Sequence, residues 1–260
     1  MGTGNRQSDA LALLMRKIII GVFAAIAALS VFTGQANAST LCTVTSQYGE
    51  CSYPPVIIDN NMWGEVPGSA QTLTATQEGN WAVVATEPNY GGVKTYPEVE
   101  QNYNYQVGSL NTVQQVFDAD MVPAKTDSTA WDVIADDWIN GTPNDPSANM
   151  IELAVFEDYH NTQPAGYNTG KSVTLAGQTF DLWVGTGSTD GSEIISLAST
   201  TSVTKGTIHL ADLFNFLRST GYLSKTDVLR QLGFGVEVLS TNSQPEKFHF
   251  AFYHNNVVQV

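Results

Sequence analysis

Positive charge is scarce in this chain: 11 lysines and arginines stand against 25 aspartates and glutamates, a formal net charge of −14. Such a surface repels nucleic acid and anionic lipid, so neither is an expected partner. Cysteine is nearly absent. The two that occur, Cys42 and Cys51, form no CxxC pair, which excludes a dithiol redox centre, and no cysteine lies near the four histidines, His160, His209, His249 and His254. Those histidines show no recognised metal-ligand spacing, so neither metal nor other cofactor is expected. Long apolar runs are missing too. The longest, Ile18 to Phe32, falls short of the about 20 residues a membrane helix needs.

That run instead reads as the core of an export signal. Met15-Arg16-Lys17 precedes it, and Ala36-Asn37-Ala38 supplies a small-x-small cleavage pattern. Residues 1–38 are therefore expected to be a signal peptide, with 1–14 as an extended leader or a misassigned start, and 39–260 a single secreted, monomeric domain. Removing residues 1–38 leaves 8 basic and 24 acidic residues, a net charge of −16. A neutral polysaccharide suits such a surface. An exported context also permits a Cys42–Cys51 disulfide, worth about 2–3 kcal/mol in the loop-entropy account.

Turn residues recur about every 8 to 12 residues from Ser39 onward, between short β-like runs such as YPPVIIDNNMW, AQTLTAT and NWAVVATE. This is the pattern of a sandwich or barrel. Further strands are expected around Gln114–Phe117, Ala130–Ile134, Met150–Phe156, Lys171–Leu175, Thr179–Val184, Glu193–Ala198, Ser202–Lys205, Gly233–Leu239 and Lys247–Tyr253. One helix interrupts them. Leu210, Leu213, Phe214 and Leu217 make a helical apolar stripe, with Thr207 as the expected N-cap and Gly221 as the stop. The expected fold is all-β: a two-sheet antiparallel β-jelly roll with one α-helix on its flank.

Two glutamates break the apolar pattern of their strands, Glu152 in NMIELAVF and Glu237 in LGFGVEVLS. An ionised carboxylate inside an apolar strand costs several kcal/mol unless it is paired or faces a polar cleft. Period-2 counting separates Ile151, Leu153 and Val155 from Glu152, Ala154 and Phe156, and Phe234, Val236 and Val238 from Gly235, Glu237 and Leu239. Each glutamate thus leaves the core face for one mixing small, aromatic and acidic side chains. Two such carboxylates are the minimal equipment for acid/base or nucleophilic work on a glycosidic bond. Other acids, namely Asp136, Asp137, Glu157 and Asp158, read as surface charges.

The order of five strings, IIDNNMWG (57–64), VKTYP (93–97), WDVIADDW (131–138), IELAVF (151–156) and GVEV (235–238), resembles glycoside hydrolase family 12 over nearly all of residues 40–256. That resemblance implies a secreted, cofactor-free endo-β-1,4-glucanase that cleaves internal bonds of cellulose or a related β-glucan with retention. It assigns Glu152 as nucleophile, Glu237 as general acid/base and Asp132 as the acid beside the nucleophile. It places Asn61, Trp63, Tyr96 and Phe156 against the sugar chain. Mixed-linkage glucan and xyloglucan remain open as substrates, since Ala154, Phe156, Val238 and Leu239 depart from the family's usual residues. The rival reading is a carbohydrate-binding jelly roll without catalysis.

Overall fold

A computed structural model describes residues 41–77, 79–187 and 191–260. The expected signal peptide, residues 1–38, lies outside the described residues. The first strands are β1 (Cys42–Val44), β2 (Glu50–Tyr53), β3 (Val56–Asp59), β4 (Ala70–Gln77), β5 (Asn80–Thr86), β6 (Glu98–Gln106) and β7 (Leu110–Asp118). There follow β8 (Ala130–Ile139), β9 (Ile151–His160), β10 (Tyr167–Leu175), β11 (Gln178–Thr186), β12 (Glu193–Ser199) and β13 (Lys205–His209). A helix, α1 (Leu210–Ser219), precedes β14 (Val228–Ser240), β15 (Pro245–Phe250) and β16 (Phe252–Gln259).

Nine strands form one large sheet in the order β10-β11-β12-β9-β8-β14-β6-β3-β2. Two smaller sheets, β1-β4-β5-β15 and β13-β7-β16, make the second layer. They are joined because β15 runs on into β16, with only Ala251 between, whose N–H bonds the Asp118 carbonyl. The jelly-roll expectation therefore holds, with one modification: β9 and β12 pair in parallel, Glu193 level with Ile151 and Ala198 with Phe156. The β10–β11–β12 meander carries the chain back to permit this. It locks the Glu152 strand between two neighbours.

One apolar core fills the space between the layers. Phe234 of β14 reaches across to Phe117, Phe250 and Tyr253, at centroid distances of 4.6, 5.9 and 5.3 Å, and Trp81 stacks on Phe250 at 4.1 Å. Burying aromatic pairs of this kind contributes about 0.5–1.5 kcal/mol each beyond area alone. The helix packs its stripe of Leu210, Leu213, Phe214 and Leu217 into the same core. Its start differs from expectation: Thr207 pairs with Val116 inside β13, and His209 occupies the N-cap without a side-chain cap bond. The strand continues to the first helical residue, so no free turn exists for Thr207 to cap. Gly221 stands two residues past the helix at φ +85°, a left-handed position that favours glycine.

Cys42 and Cys51 are joined, with a Cα–Cα distance of 5.9 Å. The bond ties β1 in the small sheet to β2 at the edge of the large one.

Candidate active site

The large sheet has a second face that turns away from the core, and both glutamates stand on it. Along β8, Trp131, Val133, Ala135 and Ile139 belong to the core, while Asp132, Ile134, Asp136 and Trp138 take the other face. Tyr96, Ile134, Ala154, Phe156 and Ala198 form a separate apolar cluster there, with Trp183 packed against it. Each of the five is at most 4 % exposed, so the face is a walled floor and not an open surface. Tyr96 and Phe156 thus belong to that floor, beneath any sugar chain. Of the three aromatics expected against the sugar chain, the exposed one is Trp63, at 53 %.

Glu152 sits on β9 opposite Trp138 of β8 and level with Ile194 of β12. Asp136 pairs with Ala154 and is therefore the diagonal neighbour of Glu152, within reach of a long side chain. Burial first, then the charges of Glu152, Glu98, Glu237 and Asp137, push the Asp136 carboxyl well above the usual aspartate range. Asp136 was expected at the surface; it instead lies on the floor between the catalytic candidates. The same period-2 count that placed the glutamates would have found it, since Asp136 follows Asp132 and Ile134 at even spacing.

Asp132 requires the opposite correction. It is level with Tyr159 on β9, far along that strand from Glu152, and on its other side stands directly opposite Glu237 of β14. Directly opposed residues have Cβ atoms about 4.5–5.5 Å apart, so the two carboxyls meet. Asp132 is fully buried, and burial followed by the Glu237 charge drives its carboxyl well above the ordinary range. Burial also pushes Glu237 up to about 7, although part of its surface meets solvent, while its bond with Asp132 acts downward.

Glu152 and Glu237 are not on adjacent strands, as direct strand spacing would have required: β8 runs between them. Their levels on β8, Trp138 and Asp132, are six positions apart, roughly 20 Å of extended strand. No strand pairing sets their carboxyls directly against each other. Asp136, between them, feels both charges.

Three of the sequence strings are sewn together at the Glu237 end. Tyr96 N–H donates to Asn61 O at 2.7 Å, Gly64 N–H to Lys94 O at 3.0 Å, and Lys94 N–H and Val238 N–H bond Val238 O and Thr95 O at 3.1 and 2.9 Å. The Lys94 ammonium, almost fully buried, caps the carbonyls of Gly92 and Leu239. Asn61 accepts the Trp63 N–H at 3.2 Å, fixing the turn that presents the indole, and its side chain also bonds Glu98. Close approach explains two glycines: a Cβ on Gly235 would fall 2.2 Å from Pro97 O, and one on Gly64 2.2 Å from Val93 O.

Glu98 was absent from the expected site and lies in it. It pairs with Gly235 on one side and Asp59 on the other, is raised well above the glutamate range by burial and by Glu100 and Asp59, and its Oε2 has no hydrogen-bond partner. The alternation Glu98-Val99-Glu100 was its signal. Glu157 and Asp158, expected as surface acids, are buried as well. Glu157 continues the inward parity of Ile151, Leu153 and Val155, and Gln178 donates to it at 2.6 Å; a register shift between β8 and β9 sets Asp158 opposite Val133, where it is paired with Lys125. A separate recess of about 430 Å³, lined by Thr45, Gln47, Met62, Glu65 and Gln71 among others, lies at the small-sheet side. Its one carboxyl, on Glu65, has no acidic partner in the lining, so we assign the chemistry to the floor instead.

A jelly roll whose outward sheet face gathers carboxyls over an apolar floor offers the pair of acids that glycoside hydrolysis uses. The comparisons make the class specific. The model for "Glycosyl hydrolase family 12" matches residues 54–257, and the chain belongs to that family. It is 24% identical over 226 residues to endoglucanase A of Aspergillus kawachii, covering 80% of this chain and 90% of that protein. Among solved structures, the xyloglucanase domain of NopAA, a type three effector from Sinorhizobium fredii in complex with cellobiose, superposes with a TM-score of 0.74 at 23% identity, covering 84% of this chain and 99% of that one. An endoglucanase from Rhodothermus marinus gives 0.74 at 18% identity, with 84% and 100% covered.

Proposed function

We propose that the chain is a secreted, monomeric endo-β-1,4-glucanase that acts with retention on a neutral β-glucan, without a cofactor. The observation that carries this reading is the placement of Glu152 and Glu237 on one outward face, with Asp136 in electrostatic reach of both. Glu152 attacks the anomeric carbon. Glu237, pushed up to about 7, carries a proton at mildly acidic pH, gives it to the leaving oxygen, and then takes one from the attacking water. Asp136, protonated by its surroundings, provides a hydrogen-bond donor beside Glu152 in the role first given to Asp132. Trp63 offers a flat apolar face to a glucosyl ring, and Asn61 holds the turn that aims it. The acidic surface left by removal of residues 1–38 suits an uncharged substrate.

Xyloglucan belongs among the substrates to be tried, because Ala154 leaves the floor beside Glu152 with a small side chain and two of the similar folds carry that activity in their names. The test is reducing-end release from carboxymethyl-cellulose, barley glucan and xyloglucan by residues 39–260, with proton NMR of the first anomer formed. Retention is expected. Glu152→Gln is expected to fall to background, and Glu237→Gln by about 10²–10⁴-fold. Equal activity in wild type and both variants would remove the site; binding of glucan without release would establish the carbohydrate-binding alternative.

A further inference from the structure

Asp132 is the one acid of this face with no route to water, and what meets it is another acid. Neither of its oxygens receives a hydrogen bond in normal geometry from the donors of any residue. What approaches them is Glu237, through its carboxyl and its backbone N–H. Among the described residues the surroundings offer no compensating cation. On β9 the residue opposite is Tyr159, whose hydroxyl is turned to Ser199 O, and the next, His160, bonds Thr126 O. On β8 itself the next titratable group on the same face is Asp136, on β9 beyond Tyr159 it is Glu152, and on β6 and the segment before it Glu98 and Tyr96. Lys125 is held by Asp158, and Lys94 by carbonyls at the end of β14. Two buried carboxyls face to face bond only with a proton between them, because two carboxylates have acceptors alone.

We propose that Asp132 is the protonated member of an acid pair with Glu237, a positioning residue whose O–H donates to the Glu237 carboxylate. This rests on the acid/base role given to Glu237 above. The donated bond offsets the desolvation of Glu237, which would otherwise hold its proton too tightly to act as a base in the second half of the reaction. It also fixes the orientation of the carboxyl that must face the leaving oxygen. The opposing shifts fit this division: the mutual bond raises Asp132 and lowers Glu237.

The first measurement needs no activity. Carboxyl ¹³C NMR of the wild-type protein, assigned with Asp132→Asn and Glu237→Gln, is expected to show Asp132 losing its proton above Glu237. Ionisation of Asp132 below Glu237 would overturn the pair as proposed. The second measurement is the pH profile of kcat/KM. Asp132→Asn keeps a donor in place and is expected to leave the alkaline limb within about half a unit of wild type, whereas Asp132→Leu removes it and moves that limb up by a unit or more. A downward shift in both variants would mean an ionised Asp132, and an unmoved limb in Asp132→Leu a merely structural one; either result sinks the proposal. An inactive wild type with the expected NMR order would instead locate the failure in the glucanase reading.

Discussion

The two ends of the outward face are built differently. At the Glu152 end the sheet is regular: β9 has a full neighbour on each side, and the acid beside Glu152, Asp136, still meets solvent. At the Glu237 end the segment 93–97 crosses over β14 and is bonded to it at Val238, two glycines make room for it, and the neighbouring acid, Asp132, is sealed. The difference matches the roles proposed for the two carboxyls. A nucleophile needs an open approach and a charge, whereas an acid/base needs a desolvated place where a proton is held and returned.

Adding one methyl group should break the second end and spare the first. Gly235→Ala places a Cβ 2.2 Å from Pro97 O and 2.9 Å from the Glu98 Cα, both backbone atoms that cannot turn aside. The expected cost is about 3 kcal/mol of stability, at the upper end of overpacking effects, with displacement of Glu237 and loss of most turnover. The contrasting change, Ala154→Gly on the Glu152 floor, removes a methyl and should cost about 1 kcal/mol with turnover largely kept. Urea unfolding and initial rates on barley glucan measure both. Equal losses in the two variants would show that the ends are not mechanically distinct.

Proton uptake offers a second way to sharpen the comparison. Asp136, Asp137, Glu157 and Glu237 have folded pKa values raised above their unfolded ones, so the folded state binds more protons between about pH 4 and 7 and stability falls as pH rises through that window. Glu157, raised from 4.5 to about 7, contributes about 3 kcal/mol to that decline by itself. Asp136 and Asp137 separate the causes. Asp136→Asn removes an acid that burial and its acidic neighbours disfavour as a charge, and should raise stability at pH 8 while changing little at pH 5. Asp137 accepts two hydrogen bonds on Oδ1, from Gln115 at 3.0 Å and Gly233 N–H at 3.3 Å, so Asp137→Leu leaves both buried donors without an acceptor and should destabilise at both. Thermal unfolding at the two pH values decides; a higher melting temperature at pH 8 than at pH 5 for the wild type would reverse the sign argued here.

The sequence carried the sandwich and the helix because alternation and the apolar stripe are local properties. It also carried the face on which Glu152 and Glu237 stand. Register is not local. Whether Asp132 or Asp136 adjoins Glu152 depends on which residue of β9 meets which residue of β8, and a slip along the pair exchanges their roles. Strands of polar composition were missed for a related reason: in β6, EVEQNYNYQ, Glu98 and Glu100 face the site and not solvent, so their acidity hid a strand and not a loop. Burial of Asp158 was illegible because it follows from a register shift that sets it opposite Val133, whereas Glu157 keeps the parity of Ile151, Leu153 and Val155 and was misread on its charge alone.

The smallest expected effect tests whether the open end reaches beyond the sheet. Trp63 leaves the floor through the turn that Asn61 holds and exposes 53 % of its surface, with no aromatic partner among the ring contacts of the described residues. Removing an exposed side chain without such partners changes stability by no more than about 0.5 kcal/mol. If the indole instead receives a glucosyl ring, Trp63→Ala should raise KM about tenfold, in the range of about 0.5–1.5 kcal/mol for a lost aromatic contact, with kcat kept within twofold. Uniform binding is lost in that case, and the transition state is left as it was. A fall in kcat with unchanged KM would instead mean that Trp63 holds the Asn61–Glu98 contact in place, moving it from the binding surface to the support of the Glu237 end.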